Sequence, residues 1–191
     1  MMNLFKKNSI EISLILLHVI LGLGVYFVPL FSILYSLLVT FLSFIYIFKS
    51  KNKLYSILVA AGYIAASDVV FRMTHGLLFY ELHKYLLIAY SLIGIFYSLG
   101  NNKGYIYILS TLLLLVSIVF TEYTLVENPR KMILFNLSGP ISLGFFSFFC
   151  YRKKLSLIQL NKILFYAALP IISMLVYMFL YTPDLKSVIK N

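Results

Sequence analysis

The chain has 191 residues, of which 62% are hydrophobic, 17% aromatic and only 12% charged, with a mean hydropathy of +0.96. Soluble domains are nearer half apolar and a quarter charged, so this chain cannot cover a core in water, which excludes a cytosolic enzyme, a nucleic-acid binder and a disordered protein. The net charge of +10 does not bring nucleic acid back as a partner, because the basic residues sit in short clusters beside apolar runs and read as topology signals.

The composition predicts an all-α polytopic membrane protein whose surroundings are membrane lipid. It forms a single transmembrane domain over 1–191, with apolar runs at about 10–27, 30–48, 54–71, 84–99, 104–121, 132–150 and 163–181. Seven spans of about 20 residues leave no room for a soluble domain. Lys6 and Lys7 before the first run mimic a signal peptide, but no small-residue cleavage site follows, so that run is read as a retained helix. Val28 and Pro29 separate the first two runs and predict a tight helical hairpin, since proline opens a helix well and pushes its predecessor out of the helical region. Runs such as Leu112–Val116 are apolar on every face, which excludes the alternation of a membrane barrel.

An amino terminus on the cytoplasmic side puts ten of the sixteen basic residues inside: Lys6, Lys7, Lys49, Lys51, Lys53, Lys103, Arg152, Lys153, Lys154 and Lys162. The positive-inside rule favours that orientation. Asp68, Glu81, Glu122, Glu127 and Asp184 then fall on the outer side, with only Glu11 inside. Functional polar chemistry is therefore expected at the outer face.

The third run ends in the richest stretch, Ser67 to His75, which continues to Tyr80-Glu81-Leu82-His83-Lys84-Tyr85. Asp68 and Arg72 are four apart and share one helix face. They form either a structural ion pair or, with Lys84, a clamp for an anionic head group such as a diphosphate, for which the planar fork of arginine is suited. Residues 76–83 are too short to span and make either a re-entrant cap or an ordinary loop. His75 and His83 are eight apart with no nearby cysteine, and Cys150 is the single cysteine, so neither a metal site nor a disulfide is expected. No cofactor is expected either. His18 is expected to hydrogen-bond inside the bundle.

In the sixth run, Asn136-Leu137-Ser138-Gly139-Pro140 predicts a kink, because Pro140 removes a donor and crowds the Asn136 carbonyl. Its polar groups either line the same outer cavity as Asp68 or merely satisfy the backbone. Pro170 predicts a second kink.

Several strings together resemble the amino-terminal part of the O-antigen ligase and polymerase-like membrane proteins. These are Asp68-Val69-Val70-Phe71-Arg72-Met73-Thr74, Tyr80-Glu81, Lys84-Tyr85, Phe135-Asn136-Leu137-Ser138-Gly139-Pro140 and Thr182-Pro183-Asp184-Leu185. The resemblance covers roughly residues 10–188. It implies a bacterial inner-membrane glycosyltransferase that polymerises or transfers polyprenyl-diphosphate-linked glycans on the periplasmic face, in the synthesis of lipopolysaccharide and other cell-surface polysaccharides. By the same resemblance Arg72 and Lys84 hold the donor diphosphate and Glu81 organises them; Asp68, His75, Asn136 and Ser138 are read as supporting residues of the same site. Members carry further spans and a large periplasmic loop, so this chain is expected to be the amino-terminal part of a longer architecture. The alternatives are a non-catalytic membrane subunit that needs a partner membrane protein, and a small transporter.

Overall fold

A computed structural model describes residues 2–79, 81–97, 104–116 and 129–181, the side chains of 2–8, 129–132, 134 and 135 excepted. Seven helices are described: α1 (Met2–Phe27), α2 (Pro29–Lys49), α3 (Lys53–Met73), α4 (Leu82–Tyr97), α5 (Tyr105–Val116), α6 (Pro129–Cys150) and α7 (Leu157–Leu180). The described residues contain no strand, so the architecture is all-α. Four helices, over Ser9–Phe27, Pro29–Lys49, Lys53–Met73 and Leu157–Leu180, are long and apolar enough to cross a membrane. Leu82–Tyr97 and Tyr105–Val116 are shorter apolar helices. Glu122, Glu127 and the Thr182–Leu185 string lie outside the described residues.

Helices α1, α2, α3 and α6 extend beyond their predicted apolar runs, whereas α4 is described only as far as Tyr97 and α5 only over Tyr105–Val116 of the run at 104–121. Helix α7 starts at Leu157 and not near 163, because Ser156 and Gln159 form a capping box that satisfies its first donors upstream of Asn161 and Lys162. Hydropathy breaks at those polar residues, whereas the backbone hydrogen-bond ladder does not. Pro29 occupies the first turn of α2 after an extended Val28, as the hairpin reading requires. Asn52 caps α3 by accepting from the Tyr55 amide at 3.1 Å. Lys53 reaches back to the Ile47 and Phe48 carbonyls at the end of α2, so the turn is closed from both sides. Pro140 and Pro170 lie inside continuous helices, the arrangement that neighbouring polar groups and local adjustment permit away from water.

Helix α3 sits at the centre and touches α2, α4 and α7. The four long helices form one group, in which α1 packs on α2 and α7, while α4, α6 and α5 extend from α3 in a row. Between lipid-facing helices the drive to associate is close packing, because lipid tails are as apolar as the side chains. Small residues let the backbones meet: a Cβ on Gly22 would stand 2.6 Å from the Ser173 carbonyl of α7, and one on Gly94 would enter the Phe149 ring of α6. Tyr90, Phe149, Ile57 and Ile64 fill the core between α3, α4 and α6. The outward faces are apolar, with Leu16, Ile20, Leu38, Phe41, Leu164 and Phe179 exposed.

Candidate functional site

Three pieces of chain converge where α3 ends, α4 begins and α6 passes its tenth residue. The end of α3 is fixed by a turn in which Thr74 caps the helix, His75 takes a left-handed backbone (φ 54°) and the Gly76 amide returns to the Phe71 carbonyl at 2.8 Å. Gly76 is needed one place further on, where a Cβ would run into Ser32 of α2. Ser32 and Thr74 share a hydrogen bond of 2.5 Å, and Thr74 donates to the Val70 carbonyl. The end of α3 is thus pinned to the start of α2 before the chain turns towards α4. Glu81 opens α4, and its carbonyl accepts from the Lys84 and Tyr85 amides. An acidic side chain is favoured at that position by the helix dipole.

From these supports a continuous ionic network is built. On α3, the Arg72 Nε–H donates to Asp68 Oδ2 at 2.7 Å, the pairing expected of residues four apart. The other oxygen of Asp68 accepts from His83 Nδ1 at 2.9 Å, and the His83 ring stacks parallel on Phe71 with centroids 5.4 Å apart. Across the turn, Glu81 Oε2 receives the Lys84 ammonium at 2.6 Å and the Ser138 hydroxyl of α6 at 2.9 Å. Lys84 also donates to Ser138 Oγ at 3.1 Å. Arg72 Nη2 lies 3.9 Å from the same Glu81 oxygen and so links the two halves. Among the described residues, the carboxylates of Asp68 and Glu81 face the cations of Arg72 and Lys84.

Burial is uneven. His83 is 2% exposed and Glu81 6%, whereas the side chains of Arg72 and Lys84 each keep 24% of their surface. The two cations and Asp68, whose side chain keeps 23% of its surface, therefore reach the outside, whereas Glu81 and His83 are enclosed. On α6, a Cβ at Gly139 would stand 3.9 Å from the Lys84 ammonium, so no side chain of that residue screens the charge. Glu81 Oε1 and His83 Nε2 are buried with no hydrogen-bond partner. Such atoms are uncommon, since each unmet polar group costs about 1–3 kcal/mol.

The structure brings together Asp68, Arg72, Glu81, Lys84 and Ser138 of the residues singled out from sequence. His75 is exposed and serves the turn, and Asn136 is exposed on α6 outside the network. His83 joins the site although its spacing from Asp68 follows no helical or metal-binding pattern; only the density of ionisable groups in an apolar stretch pointed to it. Among the described residues no three His, Cys, Asp or Glu side chains are arranged to hold a metal ion. Compared with known protein families, curated proteins and solved structures, the chain matches none of them.

A second polar line runs through the four-helix group. The Nδ1–H of His18 donates to the Leu14 carbonyl at 2.8 Å, which leaves Nε2 of the neutral ring to accept from the Tyr63 hydroxyl at 2.8 Å. Tyr63 in turn accepts from Tyr35 at 2.7 Å, and Ser173 of α7 donates to the His18 carbonyl at 2.8 Å. This line ties α1, α2, α3 and α7 together.

Proposed function

We propose that the chain is a seven-span bacterial inner-membrane protein with its amino terminus in the cytoplasm, whose outer-side ionic network binds the diphosphate of a polyprenyl-linked glycan. The reading assigns it to the O-antigen ligase and polymerase-like class, acting in glycan transfer or polymerisation at the periplasmic face. The observation that carries it is the convergence of Arg72 and Lys84 on a single oxygen of Glu81. Two cations from different helices, each partly exposed, are held close enough to grip neighbouring phosphoryl groups. An arginine fork and a lysine point charge are complementary in that task.

In glycosyl transfer an acceptor hydroxyl attacks the anomeric carbon, the bond to the diphosphate breaks, and the leaving group takes the electron pair. Cations placed at the diphosphate stabilise the charge that develops there. Arg72 and Lys84 would supply this part of the chemistry. The order and spacing of the Asp68–Thr74, Tyr80-Glu81, Lys84-Tyr85 and Phe135–Pro140 strings support the reading, as does the clustering of the acidic residues on the side that the positive-inside rule makes the outer one. Apolar outward faces and four helices of spanning length support the membrane setting.

The test is Arg72→Ala in a complementation assay of surface glycan. The expected outcome is loss of glycan display with undiminished membrane abundance. Full display in that variant removes Arg72 from the site and the reading with it.

A further inference from the structure

The end of the bundle opposite the ionic network is cationic and aromatic. The turn at 50–52 between α2 and α3 and the segment 151–156 between α6 and α7 both lie there, since Leu54 and Leu155 pack against the same buried cluster as Ile47 and Phe149. Lys53 stands over the Tyr97 ring of α4 at 5.1 Å, and the Tyr151 ring meets Tyr107 of α5 with centroids 5.8 Å apart, so α4 and α5 reach the same level. The Lys53 ammonium is taken up by the Ile47 and Phe48 carbonyls. Lys49, Lys51, Arg152, Lys154 and Lys162, by contrast, are exposed.

No carboxylate lies near these cations along the chain, because residues 29–67 and 128–183 contain no Asp or Glu. None of the five forms an ion pair among the described residues, whereas Arg72 and Lys84 at the other end are met by Asp68 and Glu81. The two connections are short and keep the charges close to the helix ends. For helices that cross a bilayer, that level is the head-group layer, where tyrosine rings also settle. Lysine and arginine there lay their stems along apolar surface and extend the charge to the phosphates. Connections this short do not rise above the head groups, so their cations meet lipid phosphates ahead of an acidic protein. The Arg152 guanidinium is held over the Tyr151 ring, 5.3 Å from its centroid, which keeps it at the depth of the tyrosines. Apolar side chains beside the cations, Phe48 before Lys49 and Leu157 and Ile158 after Lys154, are exposed and offer acyl chains a surface.

We infer that this end of the bundle binds anionic phospholipid head groups of the surrounding membrane, with Lys49 and Lys51 on one connection and Arg152 and Lys154 on the other as the phosphate-holding pairs. The bound molecule is a phosphodiester of net negative charge carrying two acyl chains. A zwitterionic lipid offers the same phosphate, but its own ammonium opposes the cations. None of the residues of the ionic network takes part, so the inference stands apart from the diphosphate reading. One cation near an anionic membrane surface strengthens attachment about fivefold, so a head group reached by a pair should be held about 25-fold more tightly than its zwitterionic counterpart.

The probes are dioleoylphosphatidylglycerol and dioleoylphosphatidylcholine, which share their acyl chains and differ in net charge. Each is titrated into the purified full chain in neutral detergent, and bound lipid is counted by native mass spectrometry. The expected result is a preference for phosphatidylglycerol of about 25-fold. A variant carrying Lys51→Gln, Arg152→Gln and Lys154→Gln should keep its phosphatidylcholine binding while the preference falls below about fivefold, since each connection then retains at most one cation of its pair. Lys186→Gln with Lys190→Gln, which lowers net charge elsewhere in the chain, should leave the preference unchanged. Equal binding of the two lipids by the unaltered protein overturns the inference and leaves these cations to topology or to an acidic protein partner. A preference that survives in the loop variant also overturns it, because the anion is then held elsewhere. Loss of the preference in the Lys186 and Lys190 variant overturns it as well, because net charge and not these connections would then select the lipid.

Discussion

The line through His18, Tyr63 and Tyr35 and the network around Glu81 both run between helices that are otherwise apolar, yet they are finished to different degrees. In the first, both ring nitrogens of His18 and both tyrosine hydroxyls are engaged, every group is neutral, and the direction of each hydrogen bond follows from the one before. In the second, four charged side chains and a histidine are joined into one path, and two buried atoms are left without partners. A completed neutral line has nothing further to bind and serves to hold α1, α2, α3 and α7 in register. The charged one leaves two buried polar atoms unmet, Glu81 Oε1 and His83 Nε2. The difference also separates two kinds of energetics: breaking a neutral hydrogen bond inside a membrane protein costs little on average, whereas stranding a charge costs much more.

The largest effect should come from the charged network. Asp68→Ala removes the partner of Arg72 and of His83 together, and should lower stability by about 3 kcal/mol, the lower end for a broken buried pair because Arg72 keeps some contact with solvent. Thermal unfolding in detergent reads this directly, and a loss no larger than that of a neutral hydrogen bond would show that the network does not hold the α3–α4 turn. On the neutral line, Tyr63→Phe cuts the link between His18 and Tyr35 and should cost about 1 kcal/mol, with affinity for geranylgeranyl diphosphate unchanged. If diphosphate affinity fell with it, the two networks would be one coupled unit and the comparison would fail. The smallest effect has the opposite sign. His75 holds a left-handed backbone that glycine adopts without strain, so His75→Gly should raise stability by up to about 1 kcal/mol and leave diphosphate binding intact. A drop in affinity there would return His75 to the site.

Much of the site was legible because its parts lie close in sequence. The Asp68–Arg72 pair follows from a spacing of four on a helix, and Glu81 and Lys84 stand in the same polar stretch, though only the structure makes them a pair. Ser138 was marked by its polar neighbours around Pro140, though nothing in the string says that it would meet Glu81 where Asn136 would not. That choice depends on which face of α6 turns towards α4, and on a continuous helix through Pro140 residues two apart point to different sides. His75 and His83 are alike in the sequence. One fell at a helix-ending position with a left-handed backbone, the other against Phe71 and Asp68, because Gly76 lets the chain pass Ser32 and redirects it.

The sequence by itself determined that the chain is all-α and that its helices are apolar enough for a membrane, because those properties rest on composition and on runs of neighbouring residues. It also determined where ionisable groups are dense. Only the tertiary structure decided that Arg72 and Lys84 share one carboxylate oxygen, that His83 backs Asp68, and that Glu81 is left half-satisfied. Those are facts about distances between helices, which are set by how small residues such as Gly22 and Gly94 allow the backbones to close, and no local pattern in a single chain carries them.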